Sequence, residues 1–265
     1  MQLLNQILFG IYPYIALSVL ALGSVIRFDR EQYTWRSGSS QLLRRKQLVM
    51  GSVLFHVGVL TIFVGHFVGL LTPIWVFDAL GVPHGAKQIL AIVAGGVAGV
   101  LCLVGGLMLL HRRVFDPRIR ATSSFGDTAI LVLLMLQLIL GLATIPVSAS
   151  HLDGGEMLKF MAWAQGVFTF RPGVADIVAD AHPVFKAHLV LGMTILLVFP
   201  FTRLVHMLSA PIWYLNRRGW QLVRTKQPLP RRRVSAAPSY PGPAGAPPKP
   251  ASVQAVWPDP LKIAE

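Results

Sequence analysis

Charge is what this sequence has least of. Charged residues make up 13% of its 265 positions and hydrophobic residues 54%, whereas a soluble domain carries roughly 25% charged residues. That balance excludes a soluble globular fold and predicts an integral membrane protein. The first apolar stretch has no Lys or Arg before Arg27. It therefore lacks the basic flank of a cleavable secretory signal, is too long for one, and is expected to stay as a span. No internal repeat of the inverted transporter kind is visible, and no span is broken by Gly and Pro in matching positions, which argues against a carrier. Cysteine occurs once, at Cys102, so the chain has no cysteine array.

What is present is apolar length. A bilayer core about 30 Å thick needs around 20 residues at 1.5 Å each, and such stretches run at about 3–26, 47–71, 87–110, 125–148 and 183–209. The expected fold is all-α, an integral membrane bundle of five transmembrane helices. Orientation follows from Lys and Arg, which are retained on the cytoplasmic side. The 27–46 loop holds six of them and the 111–124 loop four, whereas 72–86 has none and 149–182 has two against four acids. The N-terminus is expected outside and the C-terminus inside, where nine more basic residues follow position 207. The net charge of +13 then reports topology, with no nucleic-acid footprint. Residues 1–220 form the membrane domain in this reading. Residues 221–265 contain ten prolines and are expected to be a disordered, basic cytoplasmic tail, either a docking arm for anionic lipid or a partner, or a solvated tail without a role. Segment 153–170 spaces its apolar residues by three and four and is expected to form an interfacial helix, able to roof a site or simply to anchor at the interface.

Against this apolar background eight histidines stand out. Four fall in outer loops or at a helix end (His84, His111, His151, His182), and four lie at membrane depth: His56 and His66 in the second span, His188 and His206 in the fifth. An ionisable group in lipid is costly and points to function. The two spans run in opposite directions, so His66 should meet His188 near the outer face and His56 should meet His206 near the inner. As continuous helix, His188 and His206 would be five turns and about 27 Å apart on one face, and His56 and His66 about 15 Å apart and roughly 80° off register. The mismatch calls for a bend, which Pro200 offers. A protein-held transition ion wants further His, Cys or carboxylate ligands, yet the spans contain only Cys102 and Asp127. Haem needs only an axial pair, so bis-histidine haem at two depths fits best. Without a Cys-x-x-Cys-His motif it would be b-type. Gly58, Gly65, Gly69 and Gly192 flank the ligands and would let a flat macrocycle approach the backbone, while Gly95 and Gly99 read as ordinary helix packing.

The stretches IYPYIA, QYTWRSGSSQ, FHVGVLTIFVGHFVGLLTP, VFDPRIRAT, LGLATIPVSASHLDGGEM and HLVLGMTILLVFPFTRLVH resemble the cytochrome b (gamma) subunit of bacterial respiratory nitrate reductase, over residues 1 to about 225. The resemblance implies a membrane anchor of the bacterial inner membrane that oxidises quinol, menaquinol or ubiquinol, near an outer haem held by His66 and His188. An inner haem would be held by His56 and His206. Electrons would pass to a cytoplasmic iron–sulphur beta subunit and a molybdenum-containing alpha subunit that reduces nitrate. Lys87 matches a family residue implicated in the quinol site, where an ammonium can hydrogen-bond a quinol oxygen and stabilise its anion; the competing reading is a lysine snorkelling at a helix end. Arg112, Arg113 and Arg203 lie near the depth of His206, where haem propionates would need cations, although inner arginines also serve topology alone. Two alternatives remain: the b-cytochrome of another quinol-linked reductase, and a non-redox anchor or transporter with packing or proton-relay histidines.

The pairing is testable by ligand removal. Replacing His66 or His188 with Ala should remove one haem spectral component and replacing His56 or His206 the other, because each loss breaks a two-point attachment. If His66→Ala and His56→Ala removed the same component, the antiparallel pairing would be wrong.

Overall fold

The computed structural model describes residues 2–35 and 43–209; the proline-rich region 221–265 lies outside them. Ten α-helices follow in chain order. A first turn α1 (Gln2–Asn5) runs through a π-helical turn (Gln6–Ile11) into α2 (Tyr12–Arg30). Then come α3 (Arg45–Leu71), α4 (Ile74–Ala79), α5 (His84–Phe115), α6 (Pro117–Ala121), α7 (Phe125–Ala149), α8 (Gly155–Phe168), α9 (Val174–Ile177) and α10 (Pro183–Val198). No strand occurs among the described residues. Among the described residues five helical segments are long and apolar enough to cross a membrane: Gln2–Arg30, Arg45–Leu71, His84–Phe115, Phe125–Ala149 and Pro183–Phe201.

The fifth of these departs from expectation. Pro200 lacks the N–H that a continuing helix would need, and the α-helix ends at Val198. A short 3-10 turn follows, then Thr202 in extended conformation, then a 3-10 segment Arg203–Ser209 that carries His206. His188 and His206 are thus not five α-turns apart on one face, because the fifth span is broken near Pro200 instead of bent.

Lipid-facing character is plain on the bundle's outside, where Leu22, Val25, Phe63, Val64, Phe67, Val97 and Val100 are all exposed. With apolar side chains equally content in lipid, helix association depends on close backbone approach. The α3–α5 seam shows how. A Cβ on Gly58 would stand 2.5 Å from the Ala98 carbonyl and 2.7 Å from the Cys102 nitrogen. The glycine thus serves helix packing, and not the approach of a macrocycle. Gly99, likewise, faces Leu142, whereas Gly95 meets nothing within 4 Å and plays no such part.

At the C-terminal end of α3 the 153–170 segment packs into the bundle. Helix α8 buries Met161, and its Trp163, Ala164 and Val167 lie in a buried cluster with Phe9, Val174, Ala175 and Val178. Trp163 donates to the Phe9 carbonyl at 3.0 Å, and Gln165 donates to the Leu70 and Thr72 carbonyls, satisfying acceptors orphaned at the end of α3. Its N-terminus starts from Gly154 at φ 87, where a Cβ would also strike His84. At the opposite end of the bundle Arg44 pairs with Asp116 at 2.6 Å, and Asp116 accepts from the amides of Arg118 and Ile119.

The seam yields a stability prediction. Gly58→Val should destabilise the assembled chain by about 1–3 kcal/mol, the usual range for overpacking, because its neighbours are backbone atoms that cannot yield. Gly95→Ala should leave stability unchanged within error. Thermal unfolding in detergent reads both.

Candidate functional site

The structure brings together His66 and His188. Their ring centroids are 6.1 Å apart with planes at 46°. Helix α3 packs on α5 and α8, and α10 on α2 and α7, whereas α3 and α10 share no packed seam among the described residues. The two imidazoles therefore approach each other from helices whose main packing is with other partners. Beside His66, a Cβ on Gly65 or Gly69 would meet no atom within 4 Å, so that face of α3 stays flat and open.

Proton placement prepares three of the four histidines as ligands. Nδ1 of His66 bonds the Ile62 carbonyl at 2.9 Å, that of His56 the Ser52 carbonyl at 2.7 Å, and that of His206 the Arg203 carbonyl at 2.5 Å. A carbonyl can only accept, so Nδ1 carries the proton and the Nε2 lone pair is left outward for a metal. His188 differs. Gln137 of α7 donates to its main-chain carbonyl at 3.0 Å and lies 3.4 Å from its Nε2, while Nδ1 is buried without a partner. No ring contact joins His56 to His206 among the described residues. The inner pair is thus not drawn together as the outer pair is.

The donor set fits haem. Among the described residues no cluster of three His, Cys, Asp or Glu groups is disposed to hold an ion, so the outer pair suits a group that brings its own equatorial nitrogens. His66 and His188, with ring centroids 6.1 Å apart, would hold such a group between them.

Of the sequence-predicted cations, Lys87 is the most telling. It is 7% exposed, near the start of α5, at the same end of the bundle as His66 and His188. Its ammonium sits 3.5 Å over the Phe77 ring of α4 and 2.8 Å from the Met161 sulphur of α8. No oxygen lies in hydrogen-bond reach among the described residues. A snorkelling lysine would have its ammonium in water; this one is held inward by soft partners with hydrogen-bonding capacity to spare. At the inner end Arg112 donates to the Leu43 carbonyl at 2.5 Å, tying the α3 start to α5. Arg203 bonds Asp127 at 2.7 Å. Arg113, in the field of both Arg203 and Asp127, has a buried Nη1 without a partner and has capacity for an additional anion.

Sequence reasoning missed Phe77, Met161 and Gln137. The first two carry no polar signal. Gln137, an amide in the middle of an apolar span, did carry one, of the same kind that drew attention to the histidines.

The lid over Lys87 is fastened by charge. Lys159 of α8 bonds Asp180 at 3.0 Å and Glu156 at 3.2 Å. The Asp180 bond chiefly holds the ammonium above its usual range, against burial, and the same bond holds the Asp180 carboxyl below its own. The lysine's contribution is present below its unfolded value of about 10.4 and lost as pH rises through the folded one. The aspartate's is present above about 3.9 and lost as pH falls through its folded value. Amide exchange in α8 should hence show constant protection between about pH 5 and 9 and lose it in acid below about 4. Asp180→Asn should remove the acid-side change, and a flat profile in the unaltered chain would contradict the role of the pair.

Comparison with known proteins gives a concordant result. A model of the nitrate reductase gamma subunit family matches residues 5–226. The respiratory nitrate reductase 1 gamma chain of Escherichia coli (strain K12) is 53% identical over 226 residues, covering 85% of this chain and 100% of that one. The respiratory nitrate reductase 2 gamma chain of the same organism is 51% identical, over 85% of this chain and 99% of its own length. The nitrate reductase gamma chain of Bacillus subtilis (strain 168) is 38% identical over 213 residues, 80% of this chain and 95% of the relative.

Proposed function

The chain belongs to the nitrate reductase gamma subunit family, and from that premise we propose that it is the quinol-oxidising, electron-transferring membrane subunit of a respiratory nitrate reductase. Its place is the bacterial inner membrane, N-terminus outside. The observation that carries the reading is the approach of His66 to His188, ring centroids 6.1 Å apart, on helices whose main packing is with other partners.

Two b haems would supply one-electron carriers at two depths, the outer held by His66 and His188 and the inner by His56 and His206. The rest is done by the chain's own groups. The Lys87 ammonium, desolvated beneath Phe77 and Met161, donates to a quinol oxygen and stabilises the anion left as its proton departs; burial strengthens that interaction compared with water. Helices α4 and α8 cover the site and exclude water from it. Quinol protons leave to the outer side, while electrons leave inward to iron–sulphur and molybdenum-containing partner subunits. Arg113 and Arg203 give the inner end the cations that acidic haem edges require. Charge separation across the membrane then follows from the placement of the two sites, with each electron moved against the potential costing about 2.3 kcal/mol per 100 mV.

Lys87→Ala should slow quinol-dependent haem reduction by at least about tenfold, on the order of 1.4 kcal/mol or more of lost transition-state stabilisation, with haem spectra intact because lysine is not a ligand. Artificial donors that reduce the cytoplasmic partners directly should still support nitrate reduction. Unaltered quinol oxidation in this variant would sink the site, and proton release on the cytoplasmic side would sink the orientation.

A further inference from the structure

Helices α7 and α10 exchange side chains across their seam. The His188 ring of α10 lies over Gly141 of α7, where a Cβ would stand 3.0 Å from its Cε1. The Gln137 amide of α7 lies over Gly192 of α10, where a Cβ would stand 3.1 Å from its Nε2. Each polar side chain thus enters a place that a glycine on the opposite helix keeps clear. Gly192 was read from sequence as room for a macrocycle; it is room for Gln137.

The polar atoms at this exchange leave a matched remainder. His56, His66 and His206 each have a backbone acceptor for Nδ1, and His188 has none. The Gln137 Oε1 is also buried without a donor. The two orphans belong to neighbouring side chains, since Gln137 Nε2 bonds the His188 carbonyl at 3.0 Å and lies 3.4 Å from the ring's Nε2. A buried unsatisfied polar atom is costly, and a metal-ligating histidine ordinarily donates its other N–H to a carbonyl or carboxylate.

We infer that Gln137, admitted by Gly192 and aided by Gly141, is the positioning residue for His188. It clamps the ligand's main chain through its amide N–H, lies against the ring, and supplies in its carbonyl the acceptor that the non-ligating ring N–H lacks once the ring turns Nε2 from the amide toward the haem, and so sets the plane of the imidazole and the potential of the outer haem. The inference rests on the proposed ligation by His66 and His188. An acceptor on the distal ring nitrogen makes the imidazole a stronger donor and favours the ferric state, and loss of that acceptor favours the ferrous one.

The test uses the whole complex in membranes, read by redox titration and by electron paramagnetic resonance, whose anisotropy for a low-spin haem follows the relative planes of the two imidazoles. Gln137→Leu should keep both haems, raise the outer haem's potential and move its low-field resonance, leaving the inner haem as in wild type. Gly192→Ala, which displaces the amide without removing it, should move both readouts in the same direction by less, and stands in if Gln137→Leu fails to assemble. Gly51→Ala, whose Cβ would press on Met108 of α5, disturbs the α3–α5 seam away from α7 and α10 and should leave the outer haem unchanged. Wild-type outer potential and resonance in both Gln137→Leu and Gly192→Ala would overturn the inference, as would the same outer-haem shift in Gly51→Ala. The outer component surviving His188→Ala would instead overturn the ligation itself.

Discussion

An imidazole at membrane depth has to be met by something, and the arrangement of the bundle follows from that constraint. Lipid offers no hydrogen bonds, so each ring nitrogen needs a carbonyl, a polar side chain or a metal. Three of the four histidines spend Nδ1 on the carbonyl of their own helix three or four residues back, which points the remaining lone pair away from that helix. The fourth takes its support from a neighbouring helix. Helices α3 and α10 are therefore related through His66 and His188, while their close packing is with other partners: α3 with α5 through Gly58, α10 with α7 through the glycine exchange at Gly141 and Gly192.

The same logic explains the outer cap. Lys87 is an expensive residue to bury, and the cost is met by a ring, a sulphur and a covering helix, with no fixed oxygen in reach. A lysine already satisfied by a carboxylate would have less to offer a quinol. Helix α8 is fastened by Trp163, Gln165 and the Lys159 ion pairs, so the lid is held from its sides and its underside presents Met161 to the site. The small glycine-led turn at Gly154 lets it dock directly against the start of α5.

Much of this was legible in the amino-acid sequence, because hydrophobic length and histidine depth are one-dimensional signals. Antiparallel order alone matched His66 with His188. The break at Pro200 was expected only as a bend, since a proline announces a lost hydrogen bond without saying whether the chain resumes as α-helix or, as here, as a 3-10 segment. The glycines were less readable. Gly58 and Gly65 stand seven residues apart on α3, yet one is closed against α5 and the other open, a difference made wholly by what packs opposite. Arg112 and Arg203 likewise had the right depth, and their partners Leu43 and Asp127 come from elements distant in sequence.

The central claim is that the four histidines hold two iron porphyrins in one chain, and haem stoichiometry tests it most directly. The complex purified in mild detergent should yield two b haems per copy of this chain by pyridine haemochrome and protein quantitation. Both should be low-spin, with the spectroscopic signature of paired imidazoles. A preparation that holds the chain intact but contains no b haem, or only high-spin haem with one imidazole, would contradict the account.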